Sequence, residues 1–199
     1  MLSSLTDKVD ALIEKSPHTF LLREELVTNE LIIYAAAKLH KQTIKTFNIL
    51  VSETYYSSHG IVELTNECFT AIGDLIKAND NIIVLTIQGV NFEFNQNHQP
   101  DESEDIKLPG LEYMLNQAVS IHHLSLRYVA NYDPTAAPTA PQNIGNKHYS
   151  IVGPLLSDLL KCNSSLTLLN INSDKIDGGG NTHSEITTCL ENNMLRKQL

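Results

Sequence analysis

Chemistry in this chain would have to come from its histidines, cysteines, acidic cluster, glycine triplet or basic residues, and the spacing of each group decides what it can do. His122 and His123 are adjacent. In a strand, adjacent side chains point to opposite faces, so this pair cannot hold one metal ion together. His122 is expected to be partly buried or to face a helix, and His123 to lie at the surface. Cys68, Cys162 and Cys189 are far apart, lack C-x-x-C spacing and sit beside apolar neighbours, where cysteine packs as a small hydrophobe. A reactive thiol needs a partly exposed, electropositive setting instead. Gly178, Gly179 and Gly180 lack the lysine and hydroxyl that follow in a phosphate-binding loop, and read as a turn into a final helix. Asp101, Glu102, Glu104 and Asp105 lack the ordered spacing of a calcium loop and read as a solvated charge run. Arg196 and Lys197 are too few for a nucleic-acid patch. No catalytic residue, cofactor or metal is expected.

The formal net charge of −9 opposes sequence-independent binding to phosphate backbones or anionic lipid, because both need a positive field. Nucleic acid and membrane are therefore not expected partners. No run approaches the roughly 20 apolar residues that cross a bilayer, and the N-terminus lacks the basic region and apolar block of a signal peptide. Three scattered cysteines in 199 residues point to a reducing, cytoplasmic location. With 42% hydrophobic and 19% charged residues, the chain has the composition of one globular domain, 1–199.

The elements that would position any site follow an internal repeat. Leu166, Leu169 and Ile171 have the spacing L-x-x-L-x-L, which recurs at Ile44, Phe47, Ile49; at Ile82, Leu85, Ile87; at Ile121, Leu124, Leu126; and, degenerately, at Pro17, Phe20, Leu22. The windows start at 17, 44, 82, 121 and 166, so the intervals are 27, 38, 39 and 45 residues, and the longer ones need insertions. Helices are expected between the strands at 4–15, 30–41, 64–78, 110–119, 150–162 and 183–193. Ser3 or Ser4 would cap the first, and Pro109 would open the fourth, where its missing amide costs nothing. Two polar insertions, 93–107 and 130–149, lie after a strand and before a helix, so they would emerge from one edge.

The strings "LIKANDNIIVLTIQGVNF" (75–92) and "LLKCNSSLTLLNINSDKI" (159–176) share a helix end, a Lys-x-Asn turn and three apolar strand positions. In this the chain resembles leucine-rich repeat proteins of the ribonuclease-inhibitor type, each unit being one strand and one full helix. It departs from them in the asparagine after the strand: Asn91 and Asn131 come late, and Asp174 stands in its place in the last copy. The resemblance implies an α/β solenoid with a short parallel β-sheet on the concave side and helices on the convex side. Polar residues Asp7, Lys8, Asp10 and Glu14 would face outward on one end helix, and the helix near Glu185–Asn193 would cap the other end.

Alternation along the strands then puts Thr19, Leu21, Arg23, Thr46, Asn48, Leu50, Val84, Thr86, Gln88, His123, Ser125, Arg127, Leu168, Asn170 and Asn172 on the concave face. Such domains serve as interaction platforms. The resemblance therefore implies a monomeric, non-catalytic module that binds a partner protein through Arg23, Thr46, Asn48, Thr86, Gln88, His123, Ser125, Arg127, Asn170 and Asn172. Arg23 and Arg127 would be the anchors, because arginine makes forked hydrogen bonds to carboxylates. Usage rich in Asn, Ile and Leu without Trp also resembles that of repeat proteins which intracellular bacteria such as Legionella deliver into host cells. That likeness implies a translocated effector acting on a host protein in the host cytosol. Two alternatives stand beside binding: an enzyme in which His98, His148 or Asp133 converges with a nucleophile in the inserted loops, and a scaffold fragment of a larger multidomain protein.

Overall fold

The computed structural model describes residues 2–16, 18–92, 108–128, 155–156, 158–161, 163–171 and 181–196. Each of the five apolar windows is a strand: β1 (Thr19–Arg23), β2 (Thr46–Leu50), β4 (Val84–Phe92), β5 (His123–Tyr128) and β6 (Leu168–Ile171), with a short β3 (Glu63–Leu64) between the second and third windows. They pair in parallel in the order β1-β2-β4-β5-β6, and β3 pairs only with β4. The register aligns the apolar positions in two rows, Phe20, Phe47, Leu85, Leu124, Leu169 and Leu22, Ile49, Ile87, Leu126, Ile171. A slip of one residue would turn either row out of the core, so burial itself fixes the register. Phe20 and Phe47 stack with ring centroids 5.4 Å apart, and each buried side chain of this size contributes about 1.5–3 kcal/mol.

The helices are α1 (Leu2–Lys15), α2 (Asn29–Leu39), α3 (Glu53–His59), α4 (Asn66–Ala78), α5 (Pro109–Gln117), α6 (helical residues 155–156 and 158–161) and α7 (Asn181–Arg196). Helices carry the crossovers that parallel pairing requires, and one further helix, α1 and α7, stands at each end of the strand series. Hydroxyl side chains cap three of them: Thr28 accepts from the Leu31 amide at 3.3 Å, Ser52 from Tyr55 at 3.2 Å and Thr65 from Cys68 at 3.3 Å. Pro109 opens α5 as expected. Ser3 and Ser4, however, lie within α1 and do not precede it, because that helix already starts at Leu2. Leu31, Ala35, Leu39, Cys68, Ile72, Leu75, Leu111, Met114, Leu115, Leu156 and Leu159 close over the two strand rows in one core. Asp10, expected to face solvent, instead accepts from the Tyr34 hydroxyl at 2.9 and 3.0 Å and draws Lys38 to 3.7 Å, tying α1 to α2.

The pair α3 and β3 was not anticipated. No residue of α3 is fully buried, and only the adjacent Tyr55 and Tyr56 pack against the core, so this seven-residue helix carries no apolar period to read. The insertion is held by backbone contacts: Asn91 donates its amide to the Val62 carbonyl at 2.8 Å, and Val51 donates to Gln88 at 2.9 Å. Gly89 makes this possible. It sits at φ +74°, at a register shift between Gln88 and Val90, and a Cβ there would lie 1.8 Å from the Val51 carbonyl oxygen. The polar insertions expected at 93–107 and 130–149 lie outside the described residues.

Asparagines fasten one repeat to the next. In the Lys-x-Asn turns, Asn79 donates to the Gln42 carbonyl, and Asn163 donates to the carbonyls of Ala118 (2.7 Å) and Ile121 (3.1 Å). The Asn163 carboxamide oxygen also accepts from the amides of Ser165 and Leu166. At the helix starts, Asn29 bridges the Glu63 carbonyl and the Thr65 amide, and Asn66 accepts from the Gly110 amide at 3.0 Å. These bonds give partners to backbone groups in the turns, at the helix starts and on β3, from the exposed Glu63 carbonyl to the buried Ala118 and Ile121 carbonyls.

Candidate functional site

The face of the sheet turned away from the helices is built by the residues between the core rows. The same register that aligns Phe20 with Leu124 sets Leu21, Asn48, Thr86, Ser125 and Asn170 side by side across five strands. Below them run Thr19, Thr46, Val84, His123 and Leu168, and above them Arg23, Leu50, Gln88 and Arg127. The sequence-expected face is thus brought together as three rows, with Asn172 outside the described residues. Thr46, Asn48, Thr86, Gln88 and Ser125 are half-buried among their neighbours, and Arg23, His123, Arg127 and Asn170 are exposed. His122, on the other side of the backbone, is half-buried, as adjacent strand residues should differ.

Within this face Gln88 donates from Nε2 to the Ser125 hydroxyl at 2.9 Å, which orders the amide beside Arg127. Arg23 ends β1. Glu24 follows with a left-handed φ of 51° and turns the chain off the sheet, leaving the guanidinium at the rim. The two arginines share the upper row but are not neighbours, since Leu50 and Gln88 stand between them. Leu168, 53% exposed, is an apolar spot at the β6 end of the lower row. Chemically the face offers amides, hydroxyls and guanidinium groups, which donate and accept hydrogen bonds.

Sequence reasoning missed the rim beside β2, where the exposed residues Thr54, Ser57, Ser58 and His59 of α3 extend the strand-exit edge. Tyr55 and His59 stack there with ring centroids 4.3 Å apart. The readable signals were Ser52 as a cap and Gly60, whose φ of +90° ends the helix.

The chemistry considered for other residues finds little support in their surroundings. Burial, with lesser effects from Glu30 and Glu67, pushes the Cys68 thiol up to about 12, so it stays protonated and unreactive. Cys189 is half-buried beside a cleft of about 290 Å³ lined by Leu160, Lys161, Asn163 and Asn193 among others. No group of three or more His, Cys, Asp or Glu is placed to hold a metal ion among the described residues. His98, Asp133 and His148, the alternative enzyme's residues, lie outside them. Among the described residues no helix is long and apolar enough to cross a membrane.

Neither a protein-family model nor a curated protein matches the chain. Solved structures do. A tropomodulin C-terminal domain from Caenorhabditis elegans matches with a TM-score of 0.55 at 14% identity, covering 98% of this chain and 95% of that one. A structure of leiomodin-1 described as its actin-binding site 2 matches with a TM-score of 0.56 at 14% identity, covering 96% and 90%.

The chain is a leucine-rich repeat solenoid.

Those likenesses correct the kind of repeat protein expected. The reading as a ribonuclease-inhibitor-type, Legionella-like effector is overturned by structural neighbours from tropomodulin and leiomodin. Part of the composition behind it has a structural use: Asn29, Asn66, Asn79 and Asn163 join one repeat of the solenoid to the next, and Ile and Leu fill its core rows.

Proposed function

We propose that this solenoid is a non-catalytic protein-binding module whose partner lies across the concave sheet. One observation carries the reading: ten hydrogen-bonding and charged side chains are aligned by strand register on a face that no helix covers among the described residues. The contact residues are Arg23, Thr46, Asn48, Thr86, Gln88, His123, Ser125, Arg127 and Asn170. Among solved structures of similar fold, one is described as an actin-binding site, so actin is the first partner to test. The module acts as a monomer in the cytoplasm, where its scattered cysteines stay reduced.

The test is co-sedimentation with actin filaments, together with titration of fluorescent actin monomer, for the parent chain and for a variant carrying Arg23→Glu and Arg127→Glu. Circular dichroism first establishes that both fold alike. Binding by the parent that is lost in the variant supports the reading. Equal binding by both removes the concave face as the site, and failure of the parent to bind removes actin as the partner.

A further inference from the structure

The charge on the sheet is the reverse of the charge on the molecule. The chain carries 23 acidic and 14 basic residues. Yet the five strands of the path β1-β2-β4-β5-β6, Thr19–Arg23, Thr46–Leu50, Val84–Phe92, His123–Tyr128 and Leu168–Ile171, contain no Asp, Glu or Lys, and their only formal charges are Arg23 and Arg127. The acidic Glu63 lies off that path on β3, opposite Asn91 at the far end of β4. Both arginines are exposed, and neither takes part in an ion pair with another described residue. They occupy one register row, three strands apart in the order β1-β2-β4-β5. At about 4.8 Å per inter-strand step, their Cα atoms stand roughly 14 Å apart. Leu50 and the Gln88 amide, fixed by Ser125, fill the interval.

We propose that the partner presents an extended acidic segment running across the strands, with two carboxylates four residues apart, one engaged by Arg23 and the other by Arg127. This rests on the concave-face reading above and specifies what lies on that face. The geometry favours an extended chain. At about 3.4 Å per residue, positions i and i+4 are roughly 14 Å apart and, with a period of two, on the same side. In a helix, residues on one side recur at i+7 or i+11, about 10 or 16 Å away, so neither matches as well. Each guanidinium can take a carboxylate in a two-pronged contact. The hydroxyls and amides of Asn48, Thr86 and Ser125 in the adjoining row offer partners to the backbone between them. An acidic segment is also the polypeptide that this face attracts while the rest of the acidic surface repels it, which selects orientation.

The experiment uses the full chain labelled with nitrogen-15 and two capped peptides of about twelve residues made of Thr, Val and Gln with two glutamates. The glutamates stand four apart in one peptide and three apart in the other, so that charge and composition are equal. Amide and arginine Nε–H resonances are followed in titrations for the parent, Arg23→Gln and Arg127→Gln. The expected result is that both arginine resonances shift with the four-apart peptide and that the three-apart peptide binds about three- to fivefold more weakly. Either substitution should abolish that difference. If both peptides shift the face equally, the spacing model is overturned while the concave-face reading survives. Shifts confined to residues off the sheet overturn both. No shift with either peptide overturns the acidic-segment proposal and leaves the concave-face reading to the actin assay.

Discussion

Asn193 of α7 donates from Nδ2 to the backbone carbonyl of Asn163 at 2.9 Å, and it reaches the Leu166 carbonyl at 3.0 Å. These are the equivalents, one repeat later, of the Ala118 and Ile121 carbonyls that Asn163 itself holds. The last helix is therefore docked by the same device that joins the repeats before it, with the asparagine now supplied from a helix. All three residues of this kind, Asn79, Asn163 and Asn193, are at most 4% exposed, so their bonds are protected from competition by water.

Replacing Asn193 by Ala leaves two buried carbonyls without a donor, and the chain should lose about 1–3 kcal/mol. The midpoint of thermal unfolding, followed by circular dichroism, should fall by about 2–4 °C per kcal/mol. Asn163→Ala should cost more, because its side chain serves two carbonyls and two amides. An Asn193→Ala melting point equal to that of the parent would show that α7 is docked by apolar contacts alone.

Gly89→Ala should be far more damaging than Gly60→Ala. Both glycines have positive φ, but a Cβ at Gly60 meets nothing within 4 Å, whereas at Gly89 it strikes the Val51 carbonyl. Gly60→Ala should cost about 1–3 kcal/mol from backbone strain, since its ψ of 165° puts it in the extended positive-φ region kept for glycine. Gly89→Ala adds the displacement of the insertion from β4 and should exceed about 3 kcal/mol in urea unfolding. Comparable losses for the two would contradict the close approach of Val51.

The buried thiol of Cys68 gives a dependence on alkaline pH. Below about 9, the ordinary value, folded and unfolded chains both keep the proton; between there and about 12 only the unfolded chain releases it. Stability must then fall as pH rises, by up to about 1.4 kcal/mol per pH unit. Urea titrations at several pH values between 8 and 10.5 should show a shallower decline for Cys68→Ala than for the parent. In the native state at pH 8, a thiol reagent should modify the half-buried Cys189 and spare Cys68.

Tyr34→Phe removes one hydroxyl that donates to Asp10. The expected cost is about 0.5–1.5 kcal/mol. Hydrogen exchange should speed up in α1, and the amides of β4 and β5 should be unaffected. Faster exchange throughout the molecule would mean that α1 is part of the cooperative core and not a separately docked end.

Most of the strand framework was legible because burial writes itself into sequence as a period. Phe47, Ile49, Leu85, Ile87, Leu124 and Leu126 alternate with polar residues, and a parallel sheet leaves no freedom to pair them otherwise. Even the weak window around Phe20 and Leu22 is a strand in full register with its neighbour. The α3 insertion was not legible, since an element that sets only the adjacent Tyr55 and Tyr56 against the core shows no period. Gly89 was the visible hint, a glycine inside an apolar strand, and its reason lay in a carbonyl 38 positions earlier. The composition of the candidate face was readable from alternation alone. What alternation could not give was which of its residues are neighbours, because the separation of Arg23 from Arg127 depends on strand order and not on spacing along the chain.

The turns from helix to strand at 40–45, 79–83 and 121–122 are short, and the first two and the later one at 163–167 are tied to neighbouring repeats by side-chain and backbone bonds, among them those of Asn79 and Asn163. The variable interval lengths are taken up after the strands, as with α3. The two rims of the solenoid are thus under different rules. One acts as a hinge line along which spacing is conserved by hydrogen bonding, and the other is an open margin where sequence can be added or exchanged without disturbing the stack. Grafted loops and new specificities belong on that margin, beside Arg23, Gln88 and Arg127, and an insertion of equal length on the opposite rim would unfasten the repeats.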